Sequence, residues 1–332
     1  MSLLDGLLGG LSHIHSPLLR TAVPCAAVAV GLQAAVGLPS TFAVHPATER
    51  YYDLTGAVTH VAAAALSLVL PRWWLARATE TAPGGDMAGT VRLAPPHWRQ
   101  LALTGAVVVW ALRLGSFLFR RMRREGKDSR FDAMRASPGK LLVAWAAQAL
   151  WVMLCQAPLL AVNTVPAPLL PPGADAAAAA LSSAFPSGVQ WTDVVGFGLY
   201  AVGLVTETVA DQQRDSWLQA KHLKQHDEVF MARGLWSRSR HPNYFGETTL
   251  WTGLAVAAAG VLTRPAVREA LGGLGVATSL AVATVSPAFT ALLLLKVSGV
   301  PLSEPKYDRK YGQRKDYQAW KANTPLFFPR LF

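Results

Sequence analysis

The stretch that decides the fold is LLVAWAAQALWVMLCQAPLLAVNTV, residues 141–165, which contains no charged side chain. About 20 consecutive apolar residues are needed for an α-helix to cross the hydrocarbon core of a bilayer, which is about 30 Å thick. The stretch meets that length without carrying any charge into hydrocarbon. Residues 141–165 therefore predict a transmembrane helix.

Apolar blocks of similar character recur on both sides of this stretch. One of them, Ala270–Leu295, also lacks charged residues. Pro287 is expected to kink it, and the glycine-rich segment Gly272–Gly275 is expected to loosen its start. The chain therefore predicts seven membrane-spanning helices, near residues 17–38, 54–71, 100–119, 141–165, 190–210, 243–263 and 270–295.

The composition agrees with a membrane protein. Of the 332 residues, 52% are hydrophobic and 15% are charged, whereas soluble globular chains carry about 25% charged residues. Seven long apolar blocks would require a larger soluble core than a chain of this length can enclose. Cys25 and Cys155 lie inside apolar runs, which excludes a disulfide framework and a structural zinc site. The expected fold is an all-α, polytopic membrane helical bundle that forms a single integral membrane domain over residues 1–332, with no metal site.

The basic residues predict the orientation of the bundle. Twenty-one of the 31 Lys and Arg residues lie in three stretches, residues 120–140, 211–242 and 298–332. With seven spans, these stretches fall on one side of the membrane, and short loops rich in Lys and Arg stay on the cytoplasmic side. The N-terminus is therefore expected outside and the C-terminus in the cytosol. The net charge is +11, but the basic residues flank the spans and do not form a stripe on a soluble fold. This distribution argues against nucleic-acid binding.

The end of the fifth predicted span carries a first polar cluster. Glu207, Asp211 and Arg214 are spaced by four and three residues, so all three lie on one helix face. A salt-bridged helix end would account for such a trio. Glu207, however, lies at the edge of an apolar span, where an ionisable residue indicates function.

A second polar cluster leads into the sixth predicted span. Its sequence is Arg238-Ser-Arg-His-Pro-Asn-Tyr-Phe-Gly-Glu247. Pro242 suits the first turn of a helix, so the basic residues before it would lie beside free backbone N–H groups and favour an anion. Alternatively, Arg238 and Arg240 are ordinary cytoplasmic-side residues and Asn243 is a helix cap.

The third cluster is the C-terminal tail, which combines Glu304 with tyrosines and basic residues. Its members include Tyr307, Arg309, Tyr311 and Tyr317. A basic aromatic tail can be an amphipathic helix that lies on anionic lipid. Taken alone, the tail favours that interpretation.

Together, the three clusters resemble the steroid 5-alpha-reductase superfamily, in the branch called DUF1295. The matching motifs are Glu207-x3-Asp211-x-Gln213, Arg240-His-Pro-Asn-Tyr-Phe-Gly-Glu247 and Ser298-Gly-x-Pro-Leu-x-Glu304, followed by Tyr311-Gly and Asp316-Tyr317, with Trp110-Ala-Leu-Arg113 and Asp128-Ser-Arg130-Phe131 upstream. The resemblance covers roughly residues 50–332. It divides the chain into a variable N-terminal span and loop, residues 1–50, and a reductase-like region, residues 51–332, with the cofactor site in residues 207–332.

The resemblance implies a membrane reductase that binds NADPH between its helices from the cytosolic side. The family's acidic and amide positions correspond to Asp211, Asn243 and Glu247, its tail tyrosine corresponds to Tyr317, and the phosphates would be met by Arg238, Arg240, Arg309 or Arg314. Arg suits phosphate because its planar guanidinium binds it in a bidentate manner. The residues expected to hold NADPH are Glu207, Asp211, Arg238, Arg240, His241, Asn243, Tyr244, Glu247, Tyr311 and Tyr317.

The implied reaction is reduction of a carbon–carbon double bond next to a ketone in a steroid or related lipid. The tyrosine that holds the carbonyl in this family would fall near Trp110, which has no acidic proton of use. Tyr52, Asp53 and Arg113 are therefore expected to supply catalytic groups, and His60 is a further candidate. The alternatives are an interfacial aromatic belt for Tyr52, a helix cap for Asp53 and a backbone-bonded packing residue for His60.

Two other functions compete with a reductase. Isoprenylcysteine carboxyl and phospholipid N-methyltransferases, which use S-adenosylmethionine, share the Arg-His-Pro entry, but their tails usually carry adjacent glutamates, whereas Glu304 is followed by Pro305. The third possibility is a non-catalytic lipid-binding membrane protein of the same fold. Trp110 favours it, because this residue stands where the family's carbonyl-holding tyrosine is expected. The expected partners are a lipid or steroid substrate and the membrane. The expected location is the endoplasmic reticulum, with a bacterial inner membrane as the alternative.

Overall fold

A computed structural model describes residues 14–80, 92–93, 95–165, 169–170, 185 and 188–330. The predicted N-terminal region, residues 1–50, is therefore described from residue 14 onward. The α-helices are α1 Pro17–Phe42, α2 Tyr52–Glu80, α3 Trp98–Glu125, α4 Asp132–Arg135, α5 Pro138–Thr164, α6 Trp191–His222, α7 Pro242–Leu262, α8 Pro265–Ala270, α9 Val276–Leu292, α10 Val300–Tyr311 and α11 Lys315–Asn323.

Shorter elements connect these helices. Two 3₁₀ turns cover Ser129–Phe131 and Gly234–Ser237. A π-helical segment, Leu293–Val297, follows α9 directly and precedes α10. The strands β1, Arg92–Leu93, and β2, Leu169–Leu170, pair antiparallel over two residues each. Helices make up nearly all the regular structure that is described, so the all-α prediction is confirmed.

Seven helical segments within the described chain are long and apolar enough to cross a membrane. This confirms the predicted number of spans and the multi-pass membrane architecture. The segments are Pro17–Phe42, Tyr52–Ala76, Trp98–Glu125, Pro138–Thr164, Trp191–His222, Pro242–Leu262 and Val276–Tyr311.

The last span starts later than the hydropathy predicted. The span was predicted from Ala270 with a loosened start, but α8 ends at Ala270 and α9 begins only at Val276. Gly272 and Gly273 lie between them with φ values of 96° and 77°. Glycine tolerates this left-handed backbone because it has no Cβ, so the glycines break the helix where they were expected to loosen it.

Local sequence signals set the ends of α3. The ring of His97 and the side chain of Gln100 form a reciprocal capping box at its N-terminus. At the other end, Gly126 has a φ of 77°, and its N–H donates to the carbonyl of Met122 at 2.8 Å. These caps satisfy backbone groups that a helix end otherwise leaves without partners.

The chain separates into two compact units. The first unit comprises Met1–Gln190 and Ala258–Val285. Inside it, α2 packs against α1, α3 and α5, and polar side chains join the helices: Gln33 donates to Thr59 at 3.0 Å. Such hydrogen bonds hold membrane helices together where no hydrophobic driving force acts between them.

The second unit comprises Trp191–Ala257 and Ser286–Phe332. In it, α6 and α7 approach closely at glycines. A Cβ added to Gly246 would lie 2.8 Å from the carbonyl oxygen of Gly203, which is inside van der Waals contact. Only glycine fits here, and the close approach brings the first turns of α7 against the middle of α6.

Candidate functional site

Asp211 and Arg214 lie on α6 and have polar partners from distant parts of the second unit. The side-chain amide of Asn243, at the start of α7, donates to Oδ1 of Asp211 at 3.4 Å. The Arg214 guanidinium donates to the Tyr307 hydroxyl at 2.6 Å. Two of the predicted cofactor residues, Asp211 and Asn243, are therefore brought together.

The segment between α6 and α7 is anchored on the same helix face. Oε1 of Gln213 accepts from the backbone N–H of Leu235 at 2.9 Å, and the indole of Trp236 donates to the Ala210 carbonyl at 3.0 Å. Gly234 has a φ of 61°, and a Cβ there would lie 2.5 Å from Oε1 of Gln213. A glycine at this position lets the segment pack closely against α6. Residues 238–241 follow this contact and lead directly into α7.

Glu304 is the centre of the site. Oε1 of its carboxylate lies 3.0 Å from Nε2 of His241. Oε2 accepts from Arg240 at 2.6 Å and lies 3.0 Å from Nζ of Lys321. Three basic side chains, from residues 240, 241 and 321, therefore surround one carboxylate.

Asp308, one helical turn after Glu304, extends this cluster. Its carboxylate binds Lys321 at 2.7 Å and accepts from the Tyr317 hydroxyl at 2.9 Å. Burial raises the pKa of Tyr317, and the neighbouring Asp308 carboxylate adds to that increase. Burial disfavours the charged form of Lys321, but the bonds to Asp308 and Glu304 outweigh it and raise its pKa. Tyr317 is thus a neutral donor, and Lys321 stays charged.

His241 is buried beside positive charge. Burial lowers its pKa, the bond to Glu304 opposes this, and Arg214 and Arg240 lower the pKa further. Its ring stacks on that of Tyr244, with centroids 4.9 Å apart and planes 1° from parallel. His241 is therefore uncharged at neutral pH, and its ring orientation is held on two sides.

The C-terminal tail runs alongside the segment before α7. The N–H of Arg240 donates to the Pro325 carbonyl at 2.9 Å, and the N–H of Arg330 donates to the Arg238 carbonyl at 3.0 Å. The Ser239 hydroxyl donates to the Phe327 carbonyl at 2.8 Å. These contacts hold the Arg-His-Pro motif against the tail. The resemblance placed both in one cofactor site, but the sequence did not predict the individual bonds.

An open cleft of about 510 Å³ lies over this cluster. Its lining residues are Arg240, Asp308, Gly312, Tyr317, Gln318, Lys321 and Ala322. Two buried polar atoms, Nε of Arg240 and Oδ1 of Asn243, have no hydrogen-bond partner among the described residues. A buried donor or acceptor without a partner costs about 1–3 kcal/mol, so both atoms are suited to a ligand that supplies the missing hydrogen bond.

Four other predicted cofactor residues lie in the same unit. Glu207 is buried in α6, Glu247 lies in α7, and Tyr311 is buried at the end of α10. Arg238 is exposed, and its guanidinium donates to the Arg330 carbonyl at 3.3 Å. Lys321 belongs to the C-terminal cluster but was not among the predicted cofactor residues, and Asp308 was not singled out at all. The spacing of Asp308 four residues after Glu304 on a helix was the available signal.

The predicted catalytic residues belong to the first unit, where they have structural partners. The Tyr52 hydroxyl donates to the Ala144 carbonyl at 3.0 Å. The Asp53 carboxylate accepts from Arg130 at 2.9 Å. Arg113 is partly buried in α3.

A small cavity of about 30 Å³ is lined by Asp53, His60, Trp110 and Gln148, among others. His60 is completely buried, its Nδ1 lies 3.0 Å from the Gly56 carbonyl, and its ring contacts that of Trp110 at 5.0 Å between centroids. A backbone partner was the alternative interpretation of His60, and its geometry matches that alternative.

The first unit also holds an ion-pair network. Arg135 binds both carboxylate oxygens of Glu49, at 2.6 and 2.7 Å, and the N–H of Asp128 donates to Glu49 at 2.7 Å. Burial opposes ionisation of Glu49, but the Arg135 and Asp128 hydrogen bonds lower its pKa. Burial likewise opposes ionisation of Asp128, whose pKa is nevertheless lowered by the charge and hydrogen bonds of Arg130. Every charged group in this network is engaged.

One of the comparisons with known proteins identifies a family. The family model described as "Protein of unknown function (DUF1295)" matches residues 88–324, which is more than half of the chain. No curated protein and no solved structure matched the chain.

Proposed function

The chain belongs to the DUF1295 family, and we propose that it is a multi-pass membrane enzyme that uses NADPH to reduce a carbon–carbon double bond in a steroid or related lipid enone. The seven apolar helices make it a multi-pass integral membrane protein. The reductase activity, the cofactor and the substrate class are our proposal. We further expect it in the endoplasmic reticulum, with a bacterial inner membrane as the alternative.

One observation carries the proposal. Three polar segments that are far apart in the sequence form a connected cluster in the second unit: residues 211–214, residues 240–244 and residues 304–321. Ionisable residues are costly at membrane depth and cluster at functional sites. A cluster placed at helix ends and opening into a cleft is more typical of ligand binding than of helix packing.

Side chains of the connected cluster, some of which line the cleft, fit the chemical groups of NADPH. Arg240 and Lys321 supply positive charge for its phosphates. Oδ1 of Asn243 is a buried acceptor that lacks a donor among the described residues, and a carboxamide supplies such a donor. The aromatic ring of Tyr317 lines the same cleft. We therefore assign Arg240, Asn243, Tyr317 and Lys321 to cofactor binding.

Bound NADPH supplies the hydride for such a reduction. The chain itself must polarise the substrate carbonyl and donate a proton, and Tyr52, Asp53 and Arg113 remain our candidates. To act, the Tyr52 hydroxyl would have to exchange its bond to the Ala144 carbonyl, and the Asp53 carboxylate would have to exchange its bond to Arg130. The second unit contributes a neutral donor at Tyr317 and a fixed, uncharged ring at His241.

Cofactor binding tests the proposal directly. Full-length protein in detergent is titrated with NADPH, NADH and S-adenosylmethionine while tryptophan fluorescence is recorded. We expect the strongest response to NADPH, a weaker one to NADH and none to S-adenosylmethionine. Asn243→Leu should abolish NADPH binding, because it removes both the buried acceptor and the bond to Asp211.

Asn323→Leu is the matched control. Its side chain is exposed and donates only to the Ala319 carbonyl within α11, so this variant should bind NADPH like the wild type. Equal NADPH affinity in both variants would contradict the site assignment. A response to S-adenosylmethionine alone would establish the methyltransferase instead. Tight NADPH binding without consumption of NADPH on a panel of enone sterols would favour the non-catalytic lipid-binding protein.

A further inference from the structure

Six basic residues at the C-terminal end of α3 and in the segment after it divide into two groups. Arg121, Arg130 and Arg135 bind the carboxylates of the ion-pair network. Arg120, Arg123 and Lys127 are exposed. Of the carboxylates in the described residues, none lies within 4.0 Å of these three cations. Membrane orientation alone does not require this division, since either group would supply the positive charge.

The position of Arg120 on α3 corresponds to a membrane interface. At about 1.5 Å per residue, the 22 residue steps from Trp98 to Arg120 span roughly 33 Å, close to the hydrocarbon thickness of about 30 Å. Trp98 is an exposed aromatic residue at the other end of the helix, where aromatic residues mark the opposite interface. Arg120 and Arg123 are therefore expected at the level of the lipid headgroups.

The outward face of α3 changes from apolar to basic along its length. Leu101, Val109 and Leu112 are exposed, large and apolar. Arg120 and Arg123 continue this face, because they follow Leu112 by eight and eleven residues, close to two and three helical turns. Such a face suits a molecule with an apolar chain and an anionic end.

A neighbouring segment adds an aromatic pair and a fourth cation. The ring of Tyr51 stacks near that of Phe119, with centroids 6.4 Å apart. The guanidinium of Arg50 lies 5.8 Å from the Tyr51 ring centroid. Arg50 is exposed, and tyrosine and phenylalanine side chains with cations beside them are typical of the headgroup region.

We propose that Arg50, Arg120 and Arg123, together with the Tyr51–Phe119 ring pair, bind the phosphate group of an anionic phospholipid whose acyl chain lies along Leu112 and Val109. The lipid belongs to the leaflet on the side of residues 43–51 and 126–137. Charge complementarity and the continuous apolar face of α3 point to a membrane lipid, and a soluble anion would use only the basic end. This site is separate from the proposed cofactor cleft and does not depend on it.

The test compares two lipids on the full-length protein. Purified protein is placed in micelles containing equal amounts of phosphatidylglycerol and phosphatidylcholine, and bound lipids are counted by native mass spectrometry. The wild type should retain phosphatidylglycerol preferentially. The double variant Arg120→Gln/Arg123→Gln should reduce this preference roughly thirtyfold, because each of the two basic residues near an anionic surface contributes about 1 kcal/mol.

Two further variants separate a site from general charge. Arg120→Lys/Arg123→Lys keeps both charges and should keep most of the preference. Lys306→Gln/Lys315→Gln removes two exposed charges elsewhere in the chain and should leave the preference unchanged. All variants should show the wild-type thermal midpoint in phosphatidylcholine alone, which reports an intact fold.

Three results would overturn the proposal. The first is an equal loss of preference in the Lys306→Gln/Lys315→Gln control, which would mean that overall charge attracts the lipid. The second is unchanged preference in Arg120→Gln/Arg123→Gln. The third is complete displacement of phosphatidylglycerol by inorganic phosphate, which would identify a site for soluble anions.

Discussion

The two units each contain a cluster of charged side chains, and the clusters differ in what they leave open. In the first unit, Glu49 is 2% exposed, and each of its carboxylate oxygens accepts a hydrogen bond from the guanidinium of Arg135. The Asp128 carboxylate accepts a hydrogen bond from Arg130. In the second unit, Glu304 is surrounded by Arg240, His241 and Lys321, yet the cluster borders a cleft of about 510 Å³. The small cavity in the first unit measures about 30 Å³.

We interpret this difference as that between a structural network in the first unit and the proposed binding site in the second. The buried carboxylates of Glu49 and Asp128 each accept hydrogen bonds at both oxygens, which is the arrangement that makes a buried ion pair tolerable. The second unit leaves Nε of Arg240 and Oδ1 of Asn243 without partners among the described residues. The number of charges alone would not separate the two clusters, because both are rich in Arg and carboxylate; the open hydrogen bonds and the adjoining space do.

The largest effect is expected from breaking the closed network of the first unit. Arg135→Gln would leave the Glu49 carboxylate buried without its main counter-charge. Removing one partner of a buried ion pair costs roughly 3–5 kcal/mol. The free energy of unfolding, measured in detergent with a chemical denaturant, should fall by about 3 kcal/mol.

Arg123→Gln is the control for this change, since it removes an exposed arginine of the same unit that has no carboxylate within 4.0 Å in the described chain. Its unfolding free energy should match that of the wild type. If Arg135→Gln were equally neutral, the network of the first unit would not be structural.

A smaller effect, on binding, is expected in the second unit. Lys321→Gln removes a charge that lines the cleft, whereas Glu304 keeps its bonds to Arg240 and His241. The Kd for NADPH should rise about tenfold, which is about 1.4 kcal/mol, with little change in the thermal midpoint. Lys315→Gln, on the same helix α11 but exposed, should change neither quantity. A large loss of stability in Lys321→Gln without a change in Kd would make this cluster structural too.

The smallest effect is a difference in pH dependence between the clusters. The pKa of His241 is lowered in the folded protein. As the pH falls, the imidazole is therefore protonated in the unfolded chain before it is protonated in the folded protein. The contribution of this group to the free energy of unfolding is thus lost as the pH falls below about 6.5. The pKa values of Glu49 and Asp128 are also lowered, so their contribution is present above a pH of about 4 and is lost below it.

Unfolding free energies measured between pH 7.5 and pH 5 should therefore show a shallow decline, at most about 1.4 kcal/mol per pH unit. His241→Asn should flatten the decline. Glu49→Gln should lower the free energy of unfolding at every pH in this range, but the slope of that free energy against pH should match the wild type. A decline that persists in His241→Asn would place the titrating group elsewhere.

The spans were predictable because the signal is local. The composition of residues 141–165 alone predicts a helix, and α5 covers nearly the same residues, Pro138–Thr164. The predicted start of the last span at Ala270 was wrong, since hydropathy does not register the left-handed backbone of Gly272 and Gly273. Average hydrophobicity therefore predicts how many helices cross, and backbone conformation decides where each one begins.

The site was predictable in its motifs and not in its pairings. The spacing of Asp211 and Arg214, and the Arg240-His-Pro motif, marked two of its parts from the sequence. The bonds from Glu304 to His241 and from Asp308 to Tyr317 were not predicted. The first depends on where α10 lies beside the start of α7, and the second depends on how α11 packs against α10. Likewise, the sequence could not show that Tyr52 and Asp53 are bonded to Ala144 and Arg130.

By itself, the sequence determined that this protein is a helical membrane protein with seven spans, since the cost of placing charge or unpaired backbone groups in hydrocarbon acts on each segment independently. Only the tertiary structure decided which charged residues neutralise one another and which leave hydrogen bonds open beside a cleft. Hydrogen bonds and ion pairs depend on distances of a few ångströms between segments that are remote along the chain, and those distances are set by how the helices pack.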